Sequence, residues 1–157
     1  MKSTGHKLDR TDLNILRVLQ HNGRISNVEL SQLVNLSPAP CLVRVKRLEQ
    51  DNFIRGYRAE LNPVSLGMSL LAFVEITLDR TTPDVFEKFK QAISTIAEIE
   101  ECHMVAGGFD YLLKVRCADM DGYRNILGEK IAAISGISQT HTYVVMEQVK
   151  SSNELNI

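Results

Sequence analysis

No stretch of the chain approaches the roughly 20 consecutive apolar residues that a bilayer span needs. The opening MKSTGHKLDR also lacks the apolar core of a signal peptide. These two absences set the expectation of a soluble, cytoplasmic protein without membrane attachment. Cysteine is scarce: Cys41, Cys102 and Cys117 are widely spaced, odd in number and in no CxxC arrangement, which argues against a disulfide framework and against a zinc site. His6, His21 and His141 have no metal spacing with His103. A phosphate loop, a Ser-His-Asp signature and a clustered carboxylate pair are missing as well. Cys102 and His103 are neighbours, but adjacent strand residues face opposite ways and do not make a nucleophile–base pair. An enzyme is therefore not expected, and no catalytic or metal-ligating residue or cofactor is assigned.

What is present is a chain of 157 residues with ordinary globular usage, 44% hydrophobic and 24% charged, enough for one medium or two small domains. Its net charge of −1 conceals an asymmetry. Residues 1–60 hold ten Lys+Arg against six Asp+Glu, while residues 61–157 hold eight against thirteen, so +4 and −5 make up the total. The basic part is the candidate for a polyanionic partner.

Within the first sixty residues, helix starts are legible. Asp9 stands as a cap between Leu8 and Leu13, which have hydrophobic-staple spacing, and predicts a helix over about 10–21 with Leu13, Leu16 and Leu19 buried and Ile15 and Val18 widening the face. Asn22-Gly23 supplies the stop. Ser26 and Glu29 have capping-box spacing and open a second, short helix ending near Val34. A third follows Ser37, with Cys41, Leu42, Val45 and Leu48 on one face and Arg44, Lys46 and Arg47 on the part the core does not use. Pro38 suits a first helical position, where an amide has no partner anyway. Pro40 restrains Ala39, so the start lies at Pro38 or at Pro40. Two short helices joined by a tight turn, the second basic, have helix-turn-helix form. Phe53–Ala59, with Arg55 and Arg58, suits a small wing strand.

Leu61–Gly67 reads as a linker between an N-terminal domain, 1–60, and a C-terminal one, 68–157. Beyond it the period changes. Met68–Leu78 alternates as a strand; Pro83 opens a helix through Ile96; strands follow over 99–106 and from Tyr111 to Cys117; a helix covers 120–134, and a last strand 137–149. The order β-α-β-β-α-β is ferredoxin-like, and the fold class is α+β. Both helices cover one sheet face, so Leu71 and Phe73 on the other predict a homodimer through it.

The strings LDRTDLNILRVLQHNGRISNVELSQLVNLSPAPCLVRVKRLEQDNFIRGY, FVEITL, GGFDYLLKVR and TYVVMEQVK resemble the Lrp/AsnC, or feast/famine, family of bacterial and archaeal transcriptional regulators, from about Leu8 to Val149. The resemblance implies a winged helix-turn-helix domain that binds double-stranded DNA and a ferredoxin-like effector and assembly domain. It also implies homodimers that assemble to octamers, a nucleoid association, and a free amino acid such as leucine or methionine as effector. Carried over, the DNA-reading segment is Ser37, Pro38, Ala39, Cys41, Arg44, Lys46 and Arg47, to which Arg55 and Arg58 add electrostatic attraction. The effector region is Met104, Gly107, Gly108, Asp110, Met120, Tyr143, Val144 and Val145. Ala39 and Val43 depart from the family pattern, which has a hydroxyl and a polar or charged residue there. The competing expectation is an amino-acid sensor or adaptor that does not bind DNA.

Overall fold

A computed structural model describes residues 7–157. Residues 1–6, which include His6 and the start of the expected N-terminal domain, lie outside the described residues. The chain divides into two compact units: one runs to Glu60 and takes in Ser151–Ile157, and the other is Leu61–Lys150. The last seven residues thus leave the 68–157 domain expected for them, because their polar groups bond to the first helix.

Three helices form the N-terminal unit: α1 (Arg10–His21), α2 (Asn27–Leu33) and α3 (Pro38–Gln50). Reciprocal capping boxes open the first two. Asp12 N–H donates to Asp9 at 2.8 Å and Asp9 N–H to Asp12 at 3.2 Å, and Ser26 and Glu29 repeat the exchange. In α3 the pattern changes. Ser37 holds the N-cap position with extended dihedrals and Pro38 begins the helix, but the serine hydroxyl makes no capping bond. Pro40 sits where the third helical amide would donate, and it has none. The hydrophobic core joins Ile15, Leu30, Val34, Cys41 and Leu48. Its α1 contribution centres on Ile15, with Leu16 and Leu19 packed beside it, rather than on Leu13.

Beyond α3, the segment expected as a wing strand makes no ladder pairing; Phe53 and Ile54 N–H both return to Leu48 O, at 2.9 and 3.1 Å. Tyr57 then lies over the α1–α2 turn, so that a Cβ at Gly23 would stand 3.1 Å from its ring. Its hydroxyl donates to Glu49 at 3.0 Å. The Ser151–Ile157 segment runs along α1: Gln20 exchanges two 3.0 Å bonds with the Leu155 backbone, Arg17 Nε donates to Ile157 O at 2.5 Å, and His21 Nδ1 meets Glu154 at 2.7 Å.

In the second unit, β1 (Leu70–Leu78), β2 (Ile99–Met104), β3 (Tyr111–Cys117) and β4 (Ile137–Val144) form one antiparallel sheet in the order β2-β3-β1-β4. With α4 (Pro83–Ser94) and α5 (Met120–Asn125) the order is the ferredoxin-like one. Ala72, Val74, Ile76 and Leu78 alternate into a core shared with Tyr111, Leu113, Val115, Phe89, Ile93 and Tyr123. The second helix is not the regular α-helix expected to Ile134. From Ile126 to Ile131 it widens into a π-helical turn, in which Ala132 N–H reaches Leu127 O at 2.8 Å. Five-residue closure brings Ile126 and Ile131 inward together, whereas α geometry would splay them apart. The edge strands β2 and β4 are shorter than expected, ending at Met104 and Val144.

Burial and then Glu49 push the Tyr57 phenol up to about 12 from 10.0. A raised value means the fold favours the neutral form, so this contribution to stability is present below pH 10 and is lost as pH rises toward 12. Urea midpoints taken at pH 9 and pH 11 should therefore fall for the wild-type chain and fall less for Tyr57→Phe. Equal falls would remove Tyr57 from the account.

Candidate DNA-reading and effector sites

Asp12, at the third position of α1, is fully buried. An isolated carboxylate there would be prohibitively costly to desolvate. Two guanidinium groups from α3 meet it: Arg44 Nη1 donates at 2.8 Å and Arg47 Nη2 at 2.7 and 2.8 Å to its two oxygens. Arg44 Nη1 also reaches Asp9 at 2.7 Å. The α1 amide of Asp12, followed by Arg44, holds the Asp9 carboxyl below its ordinary value, and Asp9 followed by Asp12 raises Arg44.

This cluster changes where two of the expected DNA-reading residues lie. Arg44 and Arg47 face α1 rather than the free side of α3, and their two charges are balanced by Asp9 and Asp12. Cys41 is fully buried in the helical core, where burial pushes its thiol up, and it has no route to a ligand. Leu42, expected in that core, is 42% exposed, because at the observed helix phase it lies a quarter-turn outside the Cys41–Val45–Leu48 stripe. Ser37, Pro38, Ala39 and Lys46 are exposed. Of the expected DNA-binding cations, Lys46, Arg55 and Arg58 have no ion-pair partner among the described residues, unlike the arginine pair. Sequence reasoning missed Asn27, whose Nδ2 donates to Pro38 O at 2.8 Å and ties the start of α2 to the tip of α3. It also missed Asp12. The available signal was an acid three residues after the capping Asp9, with Arg44 and Arg47 three apart on another helix.

The effector residues fall into two groups. Met104, Gly107, Gly108 and Asp110 cluster where β2 turns into β3, beside the end of β1 at Ile76. Tyr143 and Val144 pair with Phe73 and Ala72, Val145 N–H bonds Leu71 O at 2.9 Å, and Met120 follows Cys117, the partner of Leu70. Four strand residues, about 13 Å, separate the two groups along β1. Within one chain they do not form one pocket. Gly107 and Gly108 have open space where a Cβ would stand and no positive φ, so neither glycine is required by the chain's own packing. Asp110 is half-buried and not the free acid expected: one carboxylate oxygen accepts Leu78 N–H at 2.8 Å, and its own N–H donates to Ile76 O.

The sheet face away from the helices carries Phe73 and Leu112, both part-exposed, among ion pairs, whereas Leu71, expected to be left uncovered there, is already buried within the chain. Lys114 lies 2.8 Å from Glu101 and 3.2 Å from Glu100, and Arg116 Nε donates to Glu100 at 2.5 Å. Lys114, then His103, holds the Glu101 carboxyl low. Cys102 pairs with Leu113 and His103 with Leu112, which puts them on opposite faces of the sheet.

Residues 8–55 match the family model for a winged helix-turn-helix DNA-binding domain, and residues 71–155 match that for the Lrp/AsnC ligand binding domain. The chain is 60% identical over 156 residues to the leucine-responsive regulatory proteins of Klebsiella pneumoniae and Escherichia coli (strain K12), covering 99% of this chain and 95% of each. Among solved structures, it is similar to a transcriptional regulator from Neisseria meningitidis in complex with L-Met, with a TM-score of 0.91 and 36% identity over 95% of this chain and 96% of that one. A feast or famine regulatory protein from M. tuberculosis complexed with L-methionine gives 0.86 and 31%, over 95% and 99%. The match over 8–55 sets aside the alternative of a sensor without DNA binding.

Asp12→Ala should lower stability by about 3 kcal/mol, the low end for a broken buried pair because both arginines keep part of their surface in water. Arg44→Ala and Arg47→Ala should each lower the urea midpoint too, and less than additively with Asp12→Ala. Far-UV circular dichroism reads all three, and unchanged midpoints would show the cluster to be dispensable. The depressed Asp9 carboxyl adds stability that is present above its ordinary value of 3.8 and is lost as pH falls through the lowered one.

Proposed function

This chain belongs to the Lrp/AsnC family of DNA-binding transcriptional regulators, and on that footing we propose that α3 reads double-stranded DNA while a free amino acid, leucine or methionine, modulates the response by changing how copies of the chain assemble. The observation that carries the first part is the exposed outer side of α3, from Ser37 to Lys46, in a helix held from behind by Asp12. In helix-turn-helix proteins the N-terminal residues of this helix contact base edges. Lys46, Arg55 and Arg58 supply phosphate attraction, with Ser37 and Pro38 at the helix tip.

The effector part rests on the L-methionine bound by two structural neighbours and on the two residue groups of the sheet. Groups about 13 Å apart in one chain meet on a single amino acid only if different copies supply them. Gly107 and Gly108 let backbone approach the ligand, the second oxygen of Asp110 receives the ammonium group, and Met104, Met120 and Tyr143–Val145 surround the side chain. The sheet face away from the helices, where the part-buried Phe73 and Leu112 lie among charged and polar side chains, forms the homodimer, and dimers build octamers around which DNA wraps in a cytoplasmic, nucleoid-associated complex. A ligand shifts this assembly only as far as it binds one state better than another. The proposal contains no catalytic step.

Titration calorimetry with leucine and methionine should give heat, and sedimentation velocity should show a population shift at the same concentrations. Gly107→Val and Tyr143→Ala should each abolish the heat, and mixing the two variants should recover a fraction of it if a site draws on two copies. No heat from any amino acid would refute the effector site. On the DNA side, Lys46→Ala, Arg55→Ala or Arg58→Ala should each reduce the slope of log affinity against log salt by about 1.

A further inference from the structure

With Arg44 and Arg47 turned toward Asp12, the free side of α3 consists of other residues. Ala39, Leu42, Val43 and Lys46 follow i, i+3, i+4, i+7 spacing and all are exposed. Val43 is 67% and Leu42 is 42% exposed, and they are the large apolar side chains that α3 itself leaves outside the core of Ile15, Cys41 and Leu48; Val28, Leu33 and Phe53 of the same unit are exposed on other elements. Two branched aliphatic side chains and one methyl group therefore occupy the first two turns, and the ammonium of Lys46 enters only one turn later. The early backbone is also short of donors, because Pro38 and Pro40 have no N–H.

Such a surface has a narrow chemical repertoire in a major groove. Guanine is read by a cation or fork donating to O6 and N7, adenine by an amide at N6 and N7, and cytosine by an acceptor at N4. Ala39, Leu42 and Val43 offer none of these. The one apolar feature any base presents there is the C5-methyl group of thymine. We infer that Ala39, Leu42 and Val43 are specificity-determining residues that select thymine by contact with its methyl group, with Lys46 holding the adjoining phosphate or a purine acceptor. The inference rests on the DNA-binding reading above and specifies what that helix recognises. The charge arrangement fits this: Lys46, Arg55 and Arg58 are exposed and have no ion-pair partner among the described residues, so backbone attraction and base choice are assigned to different side chains.

The test uses the full chain and the tightest-binding duplex recovered by selection from a random pool, synthesised once with thymine and once with deoxyuracil, which lacks only the methyl group. Fluorescence anisotropy should show the uracil duplex bound about fourfold more weakly for each methyl contacted. Val43→Ser and Leu42→Ser, both at exposed positions, should bring the thymine-to-uracil ratio toward one while leaving the salt slope unchanged. Equal binding of both duplexes by the wild-type chain would overturn the inference and leave DNA binding intact. A ratio that survives both substitutions would overturn it too, by assigning the effect to the shape of the DNA. Failure to bind any duplex would overturn the DNA-binding reading itself and this inference with it.

Discussion

The N-terminal unit turns on one buried carboxylate. Asp12 closes the capping box of α1 through the Asp9 amide and accepts from Arg44 and Arg47 of α3, so three demands on one side chain fix where α3 lies and how it is rotated about its axis. Apolar packing between Ile15, Cys41 and Leu48 supplies most of the burial but tolerates sliding and rotation. Directional bonds to a desolvated charge do not. Removing a partner leaves an unpaired buried charge, and that penalty disfavours neighbouring registers. Rotation of α3 decides which residues face outward. Both arginines turn back to α1, and the side chains exposed along the other side of α3 include Ala39, Leu42, Val43 and Lys46.

Much of the architecture was legible in the sequence because local rules and tertiary packing agree. Asp9, Ser26 and the Asn22-Gly23 stop mark helix ends by satisfying or terminating backbone donors, and alternation in Leu70–Leu78 and Tyr111–Cys117 reports a half-buried sheet. The reading failed where a residue served a distant partner. Arg44 and Arg47 looked solvated because periodicity says which side of a helix is apolar, and it is blind to a charged residue meeting a buried acid. Leu42 looked buried because hydrophobicity was taken for burial, which is sound only in one direction. Ser37 is a cap by position and not by bond, a consequence of Pro40 that residue preferences alone do not register.

In the C-terminal unit the same division holds. The strand order followed from the element pattern, whereas the π turn of Ile126–Ile131 did not, since apolar residues five apart resemble a helix with a loose face until the hydrogen-bond closure is known. The effector residues are a sharper case. The family resemblance implies one effector region, and only the register of β1 with β3 and β4 shows that its residues lie at two ends of one strand. A site of the proposed kind, drawing on two copies, would make ligand affinity depend on protein concentration, because its binding surface would exist only to the extent that the assembly does.

The return of Ser151–Ile157 to α1 makes the N-terminal unit discontinuous along the chain. Synthesis proceeds from the N-terminus, and domains generally fold as they emerge. This one can collapse early around Ile15, but the bonds from Arg17, Gln20 and His21 form only after the whole sheet has been made. Of the two units, the one that emerges earlier is thus the one completed later.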